Sequence, residues 1–554
     1  MKKLFLINCR KPMVDAFKAA GHDVRCIYTT VREVDVLYEL EKLEFAPDIL
    51  LQQESLGCRV FLNGLASIDC VRLFWSVDTH MNMHWHGLYG SMFDGVLTTQ
   101  KRYVSALEKV CTAEICWVPW MGGRLGPETG TEPGLIPYTK RKHDMTFVGR
   151  VSPQRPSRKL FVDFLKGNYN LNLVDGLNYS EMMSLYKQTK IVPNEALFGE
   201  VNFRLFEACS CGCAVVTPFV GDELGELFEI GKEIAVYNDV LELKDILDRF
   251  RNNPKLAAEM GLAAYERVLR DHMPADRGNR ILDFAYGLTP RSIDESDNTF
   301  LLTQIKAVLA EAGDTTVTWR NVVELLMVSS PGVPRDTILF RILAKESMTS
   351  EFLKIAQTYV GNAVGVEDAG FNMAASIGSS KIGNWDLAKY FWFRYITRAQ
   401  SNKVESPRDY AHLLMLWGRE LSRIGITMSP GVAFNEDADM PTCASHCLFA
   451  ALRLDPQNLE IYKRLDALFT GVAGTESLRL GFLSHLSMHY PDDWRVSADL
   501  GIVSLKVFRL DEGLAELSNS EKKAISACRQ RFWVRKIESE VEVYLKIVKP
   551  KNMC

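Results

Sequence analysis

Short apolar runs recur along the first 290 residues, and stretches with helical periodicity separate them. Few of these runs alternate polar with apolar residues, so both faces of each predicted strand must be buried. Such strands are typical of parallel sheets that helices cover on both sides. The pattern predicts eleven strands, at residues 2–8, 23–28, 48–52, 71–77, 96–99, 115–118, 145–148, 171–174, 191–192, 214–217 and 234–237.

A segment rich in glycine and proline, residues 121–143, interrupts this alternation once. Clusters of these residues mark turns and linkers. The segment therefore divides the α/β part into two Rossmann-like domains, residues 1–136 and 137–290. Two such domains joined by a linker enclose a cleft.

Strand-like runs end near residue 290, and residues 291–554 show only helical periodicity. Pro456 and Pro491 follow two of the predicted helices and are 35 residues apart. This spacing is close to the ~34-residue period of tetratricopeptide repeats. We therefore expect an all-α, tetratricopeptide-like domain. An irregular helical bundle is the alternative. We expect residues 1–290 to fold without the helical half; the alternative is that this half buttresses the cleft.

Composition and charge exclude several classes of protein. The 554 residues include 65 basic and 69 acidic ones, a net charge of −4, which argues against a nucleic-acid-binding protein. No apolar run reaches the ~18 residues of a membrane span. The 13 cysteines are scattered along a long chain, which favours a reducing cytoplasm over a disulfide framework.

The most informative stretch lies between Asn202 and Gly212. Asn202 is a favourable residue at a helix N-cap, and the residues after it predict a short helix. Arg204 and Glu207 are three residues apart and share one face of that helix. A helix N-terminus attracts anions, and a carboxylate one turn later can accept hydrogen bonds from a ribose diol. An ordinary capped helix with an internal Arg–Glu pair is the alternative.

The stretch follows the pattern N-x-R-x-F-E-A-x-x-x-G and resembles the nucleotide-sugar site of GT-B glycosyltransferases, specifically the CgeB-like group. The resemblance covers residues 140–290 well and residues 1–139 more loosely. It implies that Asn202, Arg204 and Glu207 bind a nucleotide sugar, with Glu207 on the ribose. Many retaining members carry two glutamates separated by seven residues. Here six residues separate Glu200 from Glu207, so neither Glu200 nor Glu195 carries over.

A second candidate lies where the strand at residues 145–148 ends, in Gly149-Arg150. Ligands of open α/β sheets bind at the carboxyl ends of strands. In the family this strand end faces the phosphates of the nucleotide sugar, so Gly149 and Arg150 are expected nucleotide-sugar contacts, with Arg150 on the diphosphate. Arg155 and Arg158 follow, and a solvated basic loop is the alternative for them.

A third candidate is Asp78, which ends the strand at residues 71–77 and faces the predicted cleft. His80, His84 and His86 follow within eight residues. An acidic residue beside an imidazole can deprotonate an acceptor hydroxyl, so we assign catalysis to Asp78 and His80. Structural packing of these polar side chains is the alternative. Since GT-B transfer requires no metal, we expect neither a metal nor a cofactor besides the nucleotide-sugar co-substrate.

These inferences predict a metal-independent glycosyltransferase. It would move a sugar from a nucleotide-diphosphate sugar to a protein such as flagellin or to a surface glycan. The alternative from another class is a non-catalytic GT-B-like scaffold that uses its helical arm for protein interaction. A sugar-nucleotide epimerase has the same two-domain shape but does not need a long helical appendage.

Overall fold

The computed structural model describes residues 1–123, 135–152, 155–314, 316–399 and 404–548. Much of the predicted linker therefore lies outside the described residues. No helix in the described part of the chain combines the length and apolarity that crossing a membrane requires.

The first domain is built on a six-stranded parallel sheet with the strand order β2-β1-β4-β6-β7-β8. The inner strands are buried on both faces because helices cover the sheet on both sides, whereas the two edge strands are only partly buried. A separate parallel pair, β3 and β5, was not predicted, since three-residue strands are too short to show a pattern. The elements are β1 Lys3–Ile7, α1 Lys11–Ala19, β2 Asp23–Ile27, β3 Glu33–Asp35, α2 Val36–Lys42, β4 Ile49–Gln53, β5 Phe61–Asn63, β6 Val71–Ser76, α3 Thr79–Gly90, β7 Gly95–Thr98, α4 Val104–Leu107 and β8 Glu114–Trp117.

The second domain contains a five-stranded parallel sheet with the order β10-β9-β11-β12-β13. Capping residues determine where two of its helices begin. Asn178 and Glu181 form a capping box at the start of α6, and Asp239 caps α9. The elements are β9 His143–Val148, α5 Pro156–Asn168, β10 Leu171–Val174, α6 Tyr179–Lys187, β11 Thr189–Pro193, α7 Phe203–Cys209, β12 Ala214–Pro218, α8 Glu223–Leu227, β13 Ala235–Tyr237, α9 Val240–Asn252, α10 Pro254–Asp271 and α11 Pro274–Tyr286.

Helix α11 returns to the first domain and joins the two. Its residues Ile281, Leu282 and Ala285 lie in the apolar core that also contains α1. Near its start, Nε of Arg277 donates to the carbonyl oxygens of Pro119 and Trp120 at 2.9 and 3.0 Å. The prediction of two Rossmann-like α/β domains with parallel sheets, followed by a helical region, is confirmed for the described residues.

Residues beyond α11 form helices, each packed against neighbours in the chain. They are α12 Glu295–Glu311, α13 Trp319–Val328, α14 Val333–Lys345, α15 Thr349–Tyr359, α16 Ala369–Lys381, α17 Trp385–Ala399, α18 Tyr410–Arg423, α19 Ala444–Leu454, α20 Leu459–Phe469, α21 Glu476–His489, α22 Trp494–Lys506, α23 Leu510–Ser526 and α24 Gln530–Glu540, with a final π-helical turn at Tyr544–Val548.

The helical half shares its apolar cores with both α/β domains. Ile305 and Leu309 of α12 lie in the core of the first domain. Helices α22 to α24 complete the core of the second domain. The ring of Phe508 meets those of Phe161 and Tyr237 edge-on, with centroids 5.1 and 6.2 Å apart. These contacts favour the alternative, that the helical half buttresses the α/β domains, over our expectation that residues 1–290 fold without it.

A chain truncated after residue 290 should therefore be insoluble. Each large apolar side chain that loses its cover costs ~1.5–3 kcal/mol, and several such losses approach the ~5–15 kcal/mol that stabilises a typical domain. Solubility after expression and size-exclusion chromatography check this expectation. If the truncated chain were a soluble monomer that unfolds cooperatively, the α/β domains would be shown to fold without the helical half.

Candidate functional site

A cavity of about 240 Å³ lies between the two α/β domains, at the carboxyl ends of both sheets. From the first domain it is lined by Asp78 after β6 and Gln100 after β7. The second domain contributes polar side chains from the segments after β9 and β11 and from α7. These are Arg155, Arg158, Glu200, Asn202, Arg204 and Glu207. The cavity thus brings together most of the residues that the sequence singled out.

Hydrogen bonds to residues at the ends of β9 and β11 hold the side chains of Asn202 and Arg204. Asn202 begins α7, but its side chain does not cap the helix; Nδ2 donates to Oδ1 of Asn194 at 3.1 Å and to the carbonyl oxygen of Glu195 at 2.9 Å. Arg204 donates through Nη1 to the same Asn194 oxygen at 2.6 Å and through Nη2 to the carbonyl oxygen of Val148 at 2.9 Å. Asn202 thus occupies the predicted N-cap position, but its side chain binds Asn194 and the backbone of Glu195 and not the helix.

The guanidinium of Arg204 is further fixed by stacking. Its central carbon lies 4.2 Å from the ring centroid of Phe147 in β9. A Cβ on Gly149 would come within 3.0 Å of Nη2 of Arg204, so a small residue is needed where the strand meets this side chain. Gly149 therefore shapes the site through close approach.

Glu207 has no compensating partner. Its side chain lines the cavity and the residue is only 7% exposed, yet it forms no hydrogen bond with any residue that the structure describes. Burial raises the pKa of its carboxyl group to about 7, although the charges of Arg10 and Arg204 act in the opposite direction. The Arg–Glu ion pair considered as an alternative is not formed. A buried carboxyl group without partners is open to a ligand.

Arg150 lies apart from this cavity. Its side chain is exposed and does not line the cavity, while its carbonyl oxygen accepts a hydrogen bond from Nη1 of Arg158 at 3.4 Å. The chain turns after β9 so that the backbone of this residue, and not its charge, faces inward. The geometry therefore does not support the expected contact of Arg150 with a diphosphate.

Arg155 and Arg158 do not lie in the solvated basic loop that was the alternative for them. Arg158 is buried and pairs with the carboxylate of Glu195, with Nη2 and Oε2 2.7 Å apart. Its charge is therefore compensated inside the protein. Arg155 is half-buried, lines the cavity and has no ion-pair partner among the described residues. Arg155 and Arg204 are thus the cations available to a ligand.

Asp78 and His80 of the first domain form a second group with Glu200 of the second domain, across the cleft. Nε2 of His80 lies 3.2 Å from Oε2 of Glu200, and one ligand atom from each of the three residues lies within 4.8 Å of the other two. Burial raises the pKa of Asp78 to about 7, reinforced by the charge of Glu54, and burial likewise raises the pKa of Glu200 to about 7. Burial lowers the pKa of His80, so its imidazole is neutral. Such a set can share protons or bind a divalent cation.

The other two histidines point elsewhere. His86 is buried against Glu54 and Ser76, with Nδ1 2.7 Å from the Ser76 hydroxyl. His84 faces the helical half. The three histidines that the sequence placed within a few residues therefore do not form one metal site.

Glu54 is a functional residue that the sequence analysis missed. Its Oε2 accepts hydrogen bonds from the backbone N–H groups of Val77 and Asp78, each at 2.7 Å. Oε1 accepts another from Nδ2 of Asn82 at 2.7 Å. This carboxylate fixes the turn that presents Asp78. The signal was available, because Gln52-Gln53-Glu54 is a polar end to an otherwise apolar strand, β4, next to β6.

Gln100 was also missed, and it connects the domains. Its side-chain amide donates to the carbonyl oxygen of Val201 at 3.2 Å and accepts from the N–H of the same residue at 2.9 Å. Arg10, which follows β1, lies over the rings of Trp120 and Phe203 at 5.2 and 5.5 Å. Both residues follow strands of the first sheet and close the same side of the cleft.

Comparison with known proteins gives one family model that is similar to part of the chain. The family described as "Glycosyl transferase-like" matches residues 140–283. These residues include β9, α7 and every side chain that the second domain contributes to the cavity. No match is found among curated proteins.

Solved structures give more distant similarities. Sucrose-phosphate synthase from Thermosynechococcus elongatus is 10% identical with a TM-score of 0.37, covering 52% of this chain and 98% of its own. Alr3699/HepE from Anabaena, in complex with UDP and glucose, is 12% identical with a TM-score of 0.36, covering 52% and 100%. A glycosyltransferase from Rickettsia africae is 11% identical with a TM-score of 0.34, covering 51% and 97%.

The buried carboxyl groups predict how stability depends on pH. In the folded protein Glu207 has a pKa of about 7, against the ordinary value of 4.5 for an exposed glutamate. The folded state therefore binds more protons than the unfolded state between these values, and the free energy of unfolding falls as pH rises from about 4.5 to 7.

Glu207→Gln should thus raise the melting temperature at pH 7.5 by ~1 °C for each kcal/mol recovered, since the entropy of unfolding grows with chain length, and should reduce the slope between pH 5.5 and 7.5. Glu233→Gln, which alters a buried glutamate outside the cavity, is the control. Scanning calorimetry across this pH range checks the expectation. An unchanged slope in Glu207→Gln would mean that the carboxyl group is ionised throughout.

Proposed function

We propose that the protein is a glycosyltransferase that moves a sugar from a nucleotide-diphosphate sugar to an acceptor. The observation that carries the proposal is the partnerless carboxyl group of Glu207 beside the available charges of Arg155 and Arg204, within one interdomain cavity. The glycosyl transferase-like match of residues 140–283, which contain all three, supports it.

In this proposal each side chain of the second domain has a separate task. The carboxylate of Glu207 accepts hydrogen bonds from the ribose diol. Arg155 and Arg204 contact the diphosphate and stabilise the charge that it gains as it leaves. Because the backbone of Val148 and the side chain of Asn194 already hold Arg204, its charge needs little reorganisation during the reaction. Asn202 holds Asn194 in place.

We assign the acceptor hydroxyl to the wall formed by the first domain. Asp78 has a pKa of about 7, which suits a group that must take a proton near neutral pH. Glu54 fixes the backbone of Asp78. His80 lies behind the cavity surface and acts on Glu200, so we propose a positioning role for it in place of direct catalysis.

The acceptor is a protein, such as flagellin, or a surface glycan, and the reaction takes place in the cytoplasm without a metal. The helical half supports an acceptor-binding role because residues of α20, α21, α22 and α24 line a cavity of about 550 Å³ together with the second domain. We propose that these hairpins are tetratricopeptide-like. The alternative of a non-catalytic scaffold is weaker, since such a protein gains nothing from keeping Glu207 buried without a partner.

Nucleotide binding tests the proposal directly. UDP, GDP and dTDP are compared by thermal shift on the full chain, followed by hydrolysis of the corresponding nucleotide sugars. We expect one nucleotide to stabilise the protein, and Glu207→Ala to weaken its binding ~10- to 100-fold, because hydrogen bonds to charged groups contribute ~1.5–3 kcal/mol. If none of the three nucleotides stabilised the wild-type chain, the scaffold alternative would be favoured.

Substitutions of Arg155 and Arg150 should have different effects on the rate, because only Arg155 lines the cavity. Arg155→Ala should lower the rate of sugar transfer at saturating donor ~10- to 100-fold while nucleoside affinity changes little, since its charge is most useful as the diphosphate leaves. Arg150→Ala removes an exposed charge five residues away and should leave the rate within ~2-fold, as other exposed sites do. Steady-state kinetics of donor hydrolysis compare the two. An equal loss of rate in both variants would show that Arg150 also contributes to the reaction.

Transfer should survive removal of divalent metals. In the proposed mechanism, arginine side chains carry the charge of the diphosphate, so EDTA followed by desalting should leave the rate unchanged. The measurement is donor turnover before and after this treatment. Activity that disappears and returns with Mn²⁺ would assign a cation to Asp78, His80 and Glu200.

A further inference from the structure

A second polar cavity lies where the first domain meets the helical half, apart from the one already described. Its volume is about 190 Å³. One wall is α3, which contributes His84; the others are α12 to α14 and the segment 429–446. The sequence analysis assigned no function to this region.

The segment opposite α3 is fixed against the helix backbone. Gly431 has φ of 79°, and a Cβ on it would lie 1.8 Å from the carbonyl oxygen of Met81. Only glycine fits this contact. Met81 lies between His80, beside the interdomain cavity, and His84. Residues four apart share a helix face and are ~6 Å apart, so His84 lies about one helical turn from His80 along α3.

Aromatic faces form part of the lining. Phe434 stacks on His446 with ring centroids 4.2 Å apart and planes at 3°. Trp319 is half-buried, and Nζ of Lys345 lies 5.2 Å from its ring centroid. The rings of Phe434 and Trp319 thus offer flat apolar surfaces on which the face of a ligand ring can pack.

The charged side chains of the lining are paired with one another. Arg341 donates to Glu311 at 2.5 Å, and Lys345 donates to Asp439 at 2.8 Å. Each pair is net neutral, so the cavity does not select an ion. Paired carboxylates and cations nevertheless keep free lone pairs and N–H groups at their edges, which neutral hydroxyls can use.

His84 supplies the observation that points to a ligand. Both of its ring nitrogens are buried and neither forms a hydrogen bond; the Pro430 carbonyl is near but not in hydrogen-bonding geometry. Burial lowers the pKa of the imidazole to about 4, so the ring is neutral, with one nitrogen a donor and the other an acceptor. Buried polar atoms without partners are costly, and a hydroxyl group could satisfy either nitrogen.

We propose that this cavity binds a neutral sugar ring of the acceptor, and that the acceptor is therefore a carbohydrate. The inference rests on the proposed glycosyltransferase function. Aromatic faces, paired charges and a partnerless imidazole match a ligand that is apolar on its faces and polar at its edges. The position one helical turn from His80 places that ring close to the point of transfer.

Binding to a broad glycan array tests the proposal with the full, fluorescently labelled chain, in the presence and absence of saturating UDP. Trp319→Leu and Phe434→Leu keep an apolar side chain and remove the aromatic faces, so both should lower the signal of bound glycans at least ~10-fold. Trp385→Leu changes another half-buried tryptophan of the helical half and should keep the wild-type pattern.

His84→Phe separates ligand binding from folding. It removes two buried nitrogens without partners, so the variant should be at least as stable as the wild type, yet its glycan signal should also be lost. The thermal shift with UDP should be the same in all variants, and this readout reports on the proposed function independently of the array. A blank array with the wild type, glycan binding that Trp319→Leu, Phe434→Leu and His84→Phe retain, or binding to a peptide array in place of the glycan array overturns the proposal.

Discussion

The cost of burying carboxyl groups governs the interdomain cleft. Glu54, Asp78, Glu200 and Glu207 all lie in or beside one cavity between the two sheets, away from bulk water. Glu54 is compensated by backbone N–H groups, and the neighbouring His86 helps to lower its pKa against the effect of burial. Asp78 and Glu207 have no such backbone contacts, and Glu200 accepts only one, from the N–H of Leu197 at 3.3 Å, so burial raises the pKa of each of the three to about 7. Ionising these carboxyl groups at neutral pH is therefore unfavourable, and a ligand with hydroxyl groups or a positive charge relieves the cost.

The sheets determine where these groups meet. In both domains the polar residues follow the carboxyl ends of parallel strands, and the two sheets present those ends to the same cavity. The backbone of β9 and the Asn194 side chain hold Arg204, while Glu54 at the end of β4 holds the turn before α3. Rigid elements thus carry the side chains that must keep their geometry, and Gln100 joins the domains through the backbone of Val201.

Much of this organisation could be read from the sequence, and the exceptions have physical reasons. All eleven predicted strands exist, because buried parallel strands are continuous apolar runs. Asp78, Asn202, Arg204 and Glu207 line the interdomain cavity, and the sequence singled them out because each stands at a strand end or in a recognisable helix pattern; their roles stay predictions. Arg150 was misplaced because sequence does not show which way a turn directs its side chain. Glu54 and Gln100 were missed because their partners are backbone groups distant in the chain, and the shared cores were missed because periodicity does not identify what a helix packs against.

The cover that the helical half provides has a mechanical consequence. Helix α12 belongs to the core of the first domain, and α22 to α24 belong to the core of the second. The helices between them form one continuous apolar core that reaches from α12 to α21, and α21 packs on α22. A hinge motion that widened the cleft would have to stretch this bridge as well. The bridge thus acts as a tether that limits the amplitude of opening, so that small adjustments of the cleft, and not a wide swing of the domains, would govern how quickly a bound molecule enters and departs.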